Sequence, residues 1–283
     1  MAAYGRCDLF RDPTATGEEE ARELVARLER RGRLPDERET RAAYLGLLGI
    51  GPGQRVLDVG CGSGVVTRDL ARRVAPGGLA VGLDPSPTFL THAGALARAD
   101  GLRDGIEFQL GGALAIPFPD GSFDAVVAAT VLAHVPDGAR AVPELGRVTR
   151  PGGRVGVFDL DTDSLVLAHP DRALTRRIVA AHSDHGAVDG WLARRLPGLF
   201  LQAGFEEVGV RAFTPLDRDP SGFYGGTAER AAEVAVKVGA IDEAEREGWL
   251  VALRAQQAAG GFLAGRTHLF VWGTRPGAGG GRS

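Results

Sequence analysis

Cysteine is almost missing from this chain: Cys7 and Cys61 are the only two among 283 residues. They lie far apart and lack metal-ligand spacing, so neither a disulfide framework nor a zinc site is expected, and no metal at all. Both thiols are expected to be reduced, in a cytoplasm. Lysine is also almost missing; Lys237 is the only one, and arginine replaces it, which we read as coding bias. No apolar run has the length that spans a bilayer. The opening MAAYGRCDLFRDP has no apolar core behind a basic flank, so no signal peptide is expected. A strong excess of charge is missing as well. The formal net charge of −3 gives no footprint for nucleic acid or a membrane surface, so neither is expected as a partner.

What is present is the composition of a soluble globular protein, 44% hydrophobic and 24% charged, and a chain long enough to bury a full core. From Arg55 to Asp159, short apolar runs alternate with amphipathic segments. RVLDV, LAVGLD, IEFQLG, FDAVVAA and GRVGVFD read as strands bounded by Gly, Pro or Asp. VVTRDLARRVA, TFLTHAGALARA and DGARAVPELGRVT read as helices between them. Such alternation indicates a parallel sheet covered on both faces, with right-handed crossovers. The fold expected is therefore α/β: a doubly wound, Rossmann-like, mostly parallel sheet of seven strands. Its ligand crevice should lie beyond the carboxyl ends of the strands.

Two charged amphipathic helices, GEEEARELVARLERR and DERETRAAYLGLL, precede this core and form an N-terminal helical cap over 1–50. The core itself takes 51–218 and 262–275. After it, DGWLARRLPGLFLQAG reads as a helix, EEVGVRAFTP as a strand, and RTHLFVWGTR as the closing strand. Between the last two strands, 219–261 returns to helix; a segment that long inserted near the C-terminus reads as a lid over the crevice or as a packing appendage. The end, 276–283, reads as a flexible tail.

The stretch VLDVGCGSGVVTRDLA carries the chemistry. An apolar strand reaches Asp58, then Gly60, Gly62 and Gly64 alternate, and a helical pattern follows. A dinucleotide or S-adenosylmethionine would suit such a turn. The third glycine of a G-x-G-x-x-G fingerprint is missing, with Val65 and Val66 in that region. Asp58, two residues before the first glycine, is a poor neighbour for a pyrophosphate but a good partner for an ammonium group. Asp84, about twenty residues past the last glycine, can accept both hydroxyls of a ribose and fits either ligand. The balance falls on S-adenosylmethionine.

Together VLDVGCGSG, the acid in GLDPS, IPFPDGSFDAVVAATVLAHVPD and the RPGGRV turn resemble the class I S-adenosylmethionine-dependent methyltransferases, within them the UbiE-like, type 11 branch. The resemblance covers about 40–160 and implies a cofactor pocket. Gly60, Cys61 and Gly62 would let the backbone approach the methionine part, and Gly64 would open the helix. Asp58 would hold the amino group, Asp84 the ribose and Pro85 the adenine face. Gly112 and Ala113 would run along the adenine edge, and Thr130 would lie near the methionine carbons. One departure stands out: the family usually reads Gly-Asp-Ala where this chain has GGA. Gly112 thus removes a common partner of the adenine amino group, worth roughly 1 kcal/mol as a single hydrogen bond.

The resemblance implies methyl transfer to a small-molecule acceptor, aromatic or polyketide-like and from specialised metabolism, by in-line displacement in a monomer or homodimer. The alternative is an enzyme of the same fold that catalyses a cyclisation or decarboxylation, or a protein that only binds. Candidates for a base are His134 in VLAHVPD and Asp159 and Asp161 in VFDLDTD, with structural roles as the competing reading for each. Tyr4, Trp191, Phe223, Tyr224 and Trp249 could build an aromatic acceptor pocket, and Phe10 could fold over the cofactor. His182 and His185 read as a solvated helix end rather than metal ligands, and His268 as structural. Asp84→Ala is expected to cost more affinity for S-adenosylhomocysteine than His134→Ala, because the ribose loses its paired acceptor. Calorimetric titration of both variants checks this, and equal losses would remove the pocket assignment.

Overall fold

The strand and helix patterns resolve into an open sheet in a computed structural model of the chain, which describes residues 8, 10, 12–15, 17–220 and 222–277. Helices α1 (Glu18–Arg33) and α2 (Pro35–Leu47) come first. The core then runs β1 (Arg55–Val59), α3 (Val65–Val74), β2 (Leu79–Asp84), α4 (Pro87–Ala99), β3 (Ile106–Leu110), β4 (Phe123–Ala129), α5 (Ala141–Val148) and β5 (Thr149–Leu160). After it come β6 (Val166–Leu167), α6 (Arg172–His185), α7 (Leu192–Gln202), β7 (Glu206–Phe213), β8 (Leu216–Asp217), α8 (Phe223–Lys237), α9 (Glu243–Ala258), β9 (Ala264–Gly265) and β10 (His268–Thr274).

The large sheet has seven strands in the order β3-β2-β1-β4-β5-β10-β7. Strands β1 to β5 pair in parallel, and β10 enters antiparallel between β5 and β7, with Val271 opposite Val157 and Val210. The order reverses between β1 and β4, which places a crevice at their carboxyl ends.

Alternation along each strand feeds two cores. Leu57, Val59, Val126, Ala128, Val155 and Val157 face one side, where Leu145 and Val148 of α5 and Leu196 and Phe200 of α7 cover them. Val56, Ala125, Val127 and Phe158 face the other, under Tyr44 and Leu45 of α2 and Leu70 and Val74 of α3. Tyr44 stacks on Phe158 at 4.6 Å and on Phe270 at 5.2 Å, so α2 is bolted to the sheet by aromatic packing. Local signals set the helix ends. Glu18–Glu20 open α1 and Arg30, Arg31 and Arg33 close it, matching its dipole. Asp242 and Glu245 form a reciprocal capping box on α9.

Helices α8 and α9 do not pack alone. Their inner residues Ala228, Ala231, Ala232, Ala235, Trp249 and Leu253 share a separate core with Leu165, Ile178 and Ala181. A small antiparallel sheet, β6-β9-β8, roots this unit beside the large one. Neither α6 as a core helix nor the small sheet is expected from the sequence. Alanines on α8 let α6 approach closely, and the bulk of Trp249 fills the remaining space.

Trp249 is 1% exposed, stacks on His169 at 4.8 Å and donates its indole N–H to Thr175 Oγ1 at 3.0 Å. It is therefore a core residue shared by α6, α8 and α9, correcting its expected place in an acceptor pocket. Trp249→Ala is expected to lower stability by ~3–5 kcal/mol, the usual cost of deleting a buried indole. Urea unfolding measures it, and a near-neutral result would show that the indole carries no packing.

Candidate functional site

Where β1 meets α3 the chain must turn within a few residues, and three left-handed glycines make the turn: Gly60 (φ 71°), Gly62 (φ 52°) and Gly64 (φ 78°). A Cβ on Gly60 would lie 2.5 Å from Val131, so the position tolerates no side chain. The amides of Gly60 and Cys61 both donate to the Leu83 carbonyl, at 2.7 and 3.0 Å. Gly62 N–H donates to Asp84 Oδ2 at 2.9 Å, and Ser86 N–H to Asp84 Oδ1 at 2.9 Å. Asp84 thus shapes the turn from the end of β2 and keeps lone pairs for a ligand hydroxyl. Burial raises its pKa, opposed by the two amides. The Cys61 thiol is free and buried, which also raises its pKa, so it stays a thiol.

Asp58 ends β1 at 1% exposure, and Thr67 Oγ1–H donates to its Oδ2 at 2.6 Å. Burial pushes its pKa up to about 7, the Thr67 hydroxyl lowers it, and the neighbouring Asp84 charge raises it. Hydrogen bonds from Thr67 alone do not satisfy a buried carboxylate, and an ammonium group beside it would. Asp58, Gly60, Cys61, Gly62, Asp84, Pro85, Gly112, Ala113 and Thr130 all line one cavity of about 580 Å³. Thr130 holds a left-handed backbone (φ 57°) while its amide donates to Phe158 O at 2.6 Å; strain of this kind accumulates at ligand sites. At Gly112 a Cβ would meet nothing within 4 Å, so the missing family acid is not replaced by another side chain pressing on that spot. The residues present fit S-adenosylmethionine: a glycine cradle, an under-satisfied buried carboxylate for its ammonium, and a second carboxylate for its ribose.

His134 ends a short 3-10 turn (Leu132–His134) on the cavity wall. Its Nδ1 lies 2.8 and 2.9 Å from the two oxygens of Asp8, whose side chain is 1% exposed and also accepts from Val188 N–H at 3.2 Å. Phe10 sits against the imidazole at 5.4 Å and lines the same cavity. The other two base candidates are corrected by their surroundings, since neither lines the cavity. Asp159 is fully buried and accepts from Ala133 N–H at 3.0 Å and Leu160 N–H at 2.9 Å, so it holds the backbone that carries His134. Burial raises its pKa. Asp161 is paired with Arg194 at 3.0 Å.

The aromatic candidates divide. Phe223 lines the cavity, with Arg31 and Arg27 over its ring at 5.1 and 5.5 Å. Tyr224 does not; it is 2% exposed in the lid core. Trp191 does not either; it is 49% exposed beneath Arg194 at 4.4 Å. Tyr4 lies outside the described residues. His182 is 5% exposed on the cavity wall, in place of the solvated position expected for it. Its pKa is lowered to about 3 by burial and by Arg266, Arg230 and Arg27, so it is neutral. Among the described residues no group of three or more metal-ligating side chains forms.

Sequence reasoning missed Asp8, Arg27, Arg31, Arg230 and Arg266 on this wall. The only signal available was the i, i+4 spacing of Arg27 and Arg31, which puts both on one face of α1.

A family model described as "Methyltransferase domain" matches residues 57–157. A 37.1 kDa protein in a transposon of Streptomyces fradiae is 34% identical over 83% of this chain and 66% of its own length. An uncharacterised protein of Mycobacterium tuberculosis is 32% identical over 76% of this chain and 79% of its own. A 2-phytyl-1,4-naphtoquinone methyltransferase of Synechococcus elongatus is 41% identical over 38% of this chain and 47% of its own. The chain thus spans less than two thirds of the first and third of these relatives. Two solved structures share the fold. The [4+2]-cyclase SpnF has a TM-score of 0.60 at 20% identity, over 98% of this chain and 100% of that one. A Haemonchus contortus phosphoethanolamine N-methyltransferase, solved with S-adenosylhomocysteine, has a TM-score of 0.59 at 16% identity, over 94% and 59%.

The raised pKa of Asp58 sets a pH dependence. A carboxyl that binds its proton more tightly folded than unfolded stabilises the fold fully below its unfolded pKa, here near 3.8. That contribution is lost as pH rises to about 7. Asp84 and Asp159, also raised, act with the same sign. Thermal melts of the ligand-free protein between pH 5 and 8 are expected to decline less in Asp58→Asn than in the parent; identical slopes would place Asp58 outside this balance.

Proposed function

The chain belongs to the class I S-adenosylmethionine-dependent methyltransferases, in the type 11 branch, and from that membership we propose that it methylates a small-molecule acceptor bound under the lid. The observation that carries the proposal is the continuity of the cavity. One enclosure runs from Asp58, Gly60 and Asp84 past Thr130 and His134 to Phe223 and Arg266. Cofactor and acceptor would therefore share a space from which closing side chains exclude water.

S-adenosylmethionine supplies a methyl group already made electrophilic by a cationic sulfur. The chain's task is then alignment. Asp58 and Asp84 fix the two ends of the cofactor, and the wall from Thr130 to His134 faces the space between cofactor and lid. Orientation of this kind lowers a barrier by ~7–11 kcal/mol. An acceptor that arrives protonated needs a base, and His134 is built as one: its Nδ1–H donates to Asp8, which leaves Nε2 as the acceptor nitrogen. Among the described residues Nε2 has no hydrogen-bond partner, so it is free to take a substrate proton.

Phe10, Phe223, Val135 and Ala187 give the acceptor end an apolar lining, which suits a flat aromatic or polyketide-like molecule of specialised metabolism. The substrate for which the cyanobacterial relative is named, a naphthoquinone, is of that kind. We place the reaction in the cytoplasm, in a monomer or homodimer, with 1–50 as cap and 219–261 as lid. Among the described residues no helix is long and apolar enough to cross a membrane. A second reading keeps the fold and abandons methyl transfer; it is favoured by Gly112, which lacks the family's adenine acceptor, and by the fold shared with a cyclase. Incubation with methyl-labelled cofactor and extracts of the host separates the two. A labelled small-molecule product that disappears in Asp84→Ala is expected, whereas cofactor binding without any labelled product would favour the second reading.

A further inference from the structure

Several arginines of this chain are paired with a carboxylate. Arg68 meets Glu29 at 2.8 Å, Arg41 meets Asp69 at 2.6 Å, Arg147 meets Glu144 at 2.7 Å and Arg177 meets Glu245 at 2.6 Å. Two arginines on the cavity wall have no such partner. Arg266, between β9 and β10, is 7% exposed, and its Nε is buried without a hydrogen-bond partner. Its side chain makes no hydrogen bond or ion pair with any described residue. Arg27, on α1, lies over the ring of Phe223 at 5.5 Å and among the charges of Arg230 and Arg31. Both line the cavity.

Among the described residues no carboxylate makes an ion pair with Arg266; Asp159 and Glu37 act on it only through space. The carboxylates on the cavity wall are Asp8, Asp12, Glu37, Asp58 and Asp84. Asp58 and Asp84 belong to the glycine turn, Asp8 is held on His134, and Asp12 is exposed and bonded to Thr14 at 2.6 Å. Glu37 is engaged by Arg31 at 2.9 Å. His182, packed among these arginines, is neutral and its Nδ1 has no partner either. A buried guanidinium with no acceptor is a costly arrangement, and proteins retain it where a ligand completes it. Its planar fork of donors matches a carboxylate or phosphate better than any neutral group.

We infer that the acceptor carries an oxyanion, a carboxylate or a phosphate, seated at the lid end of the cavity on Arg266 with Arg27 beside it. This rests on the methyl-transfer reading for the word acceptor, and on the cavity alone for the anion. Arg266 is the specificity-determining group, since an uncharged analogue leaves it buried and unpaired. Arg27 acts from the cap side, so a bound anion would tie α1 to the lid unit across the cavity mouth.

Three probes test this: 4-hydroxybenzoate, phenyl phosphate and the uncharged methyl 4-hydroxybenzoate, each titrated calorimetrically into protein saturated with S-adenosylhomocysteine. At least one anion is expected to bind about tenfold more tightly than the ester, the scale of one charge-assisted hydrogen bond. Arg266→Gln is expected to remove that advantage while leaving the ester and S-adenosylhomocysteine unchanged. Arg27→Gln, at a part-exposed helix position that tolerates substitution, is expected to do so in part, and serves if Arg266→Gln does not fold. Whichever anion loses more identifies carboxylate or phosphate. Equal binding of ester and anions, no anion binding at millimolar concentration, or anion binding unaffected in both variants would overturn the inference. A loss falling on S-adenosylhomocysteine would overturn it too, by assigning the guanidinium to the cofactor's own carboxylate. Failure of the parent protein to bind S-adenosylhomocysteine would instead strike the methyl-transfer reading, and the anions would then be titrated into the unliganded protein.

Discussion

The end of β2 is the point from which the site is suspended. Leu83 offers one carbonyl to two amides of the glycine turn, and Asp84 offers one carboxylate oxygen to a third amide and the other to Ser86. A turn fixed in this way needs no side chain of its own to hold its shape, so the space above it stays open to a ligand. The parallel register of β1 and β2, with Val59 opposite Leu83, brings acceptor and donors level. A carboxylate is needed at that place because a neutral acceptor would hold the amides less tightly and offer less to a ribose. Its burial is the cost, visible in the raised pKa of Asp84 and of Asp58 beside it.

The same geometry explains what could be seen in the sequence. Strands that bury both faces must be apolar at nearly every position, and VLDVG and FDAVVAA are, Asp58 and Asp124 apart; the glycines of the turn must fall where φ is positive, and they do. The chemistry of the turn was legible because backbone conformation and residue type are tightly coupled there. The pairings β6-β9-β8 are only two residues long, too short to show a period. Asp159 and Asp161 follow a strand toward the crevice, and a carboxylate that receives backbone amides reads the same in sequence as one that faces a ligand. Tyr224 and Trp249 fail for a related reason: helical spacing places them on a face without saying whether that face meets the cavity or α6. Asp8 and His134 stand 126 positions apart, and no local pattern joins them.

Helix α1, the glycine turn and the start of α8 are mechanically connected. Glu29 on α1 binds Arg68 of α3 at 2.8 Å and accepts from Ser63 Oγ at 2.8 Å, while Arg68 Nη1 donates to the Ser63 carbonyl at 2.8 Å. A buried ion pair of this type contributes little net stability, but it fixes one geometry against many. Here it sets α1 against the glycine turn, with Leu28 3.1 Å from where a Cβ on Gly62 would stand. Two turns of contact along α1 then do different work: the Glu29 side grips the glycine turn, and Arg27 and Arg31 cover Phe223 at the start of α8.

Asp8 joins enclosure to chemistry. It receives Val188 N–H from the segment after α6 and the His134 ring from the segment after β4, so one buried carboxylate joins those two segments. Beneath it, Asp159 holds the Ala133 amide and thereby the height of the His134 turn. Remove the N-terminal segment and the imidazole loses both its tautomer partner and its cover by Phe10. Covering this wall of the cavity and fixing the imidazole tautomer are consequently one arrangement. A histidine without that carboxylate would interchange its tautomers freely. With it, Nδ1–H is held on Asp8, and the lone pair of Nε2 is the one left for a ligand.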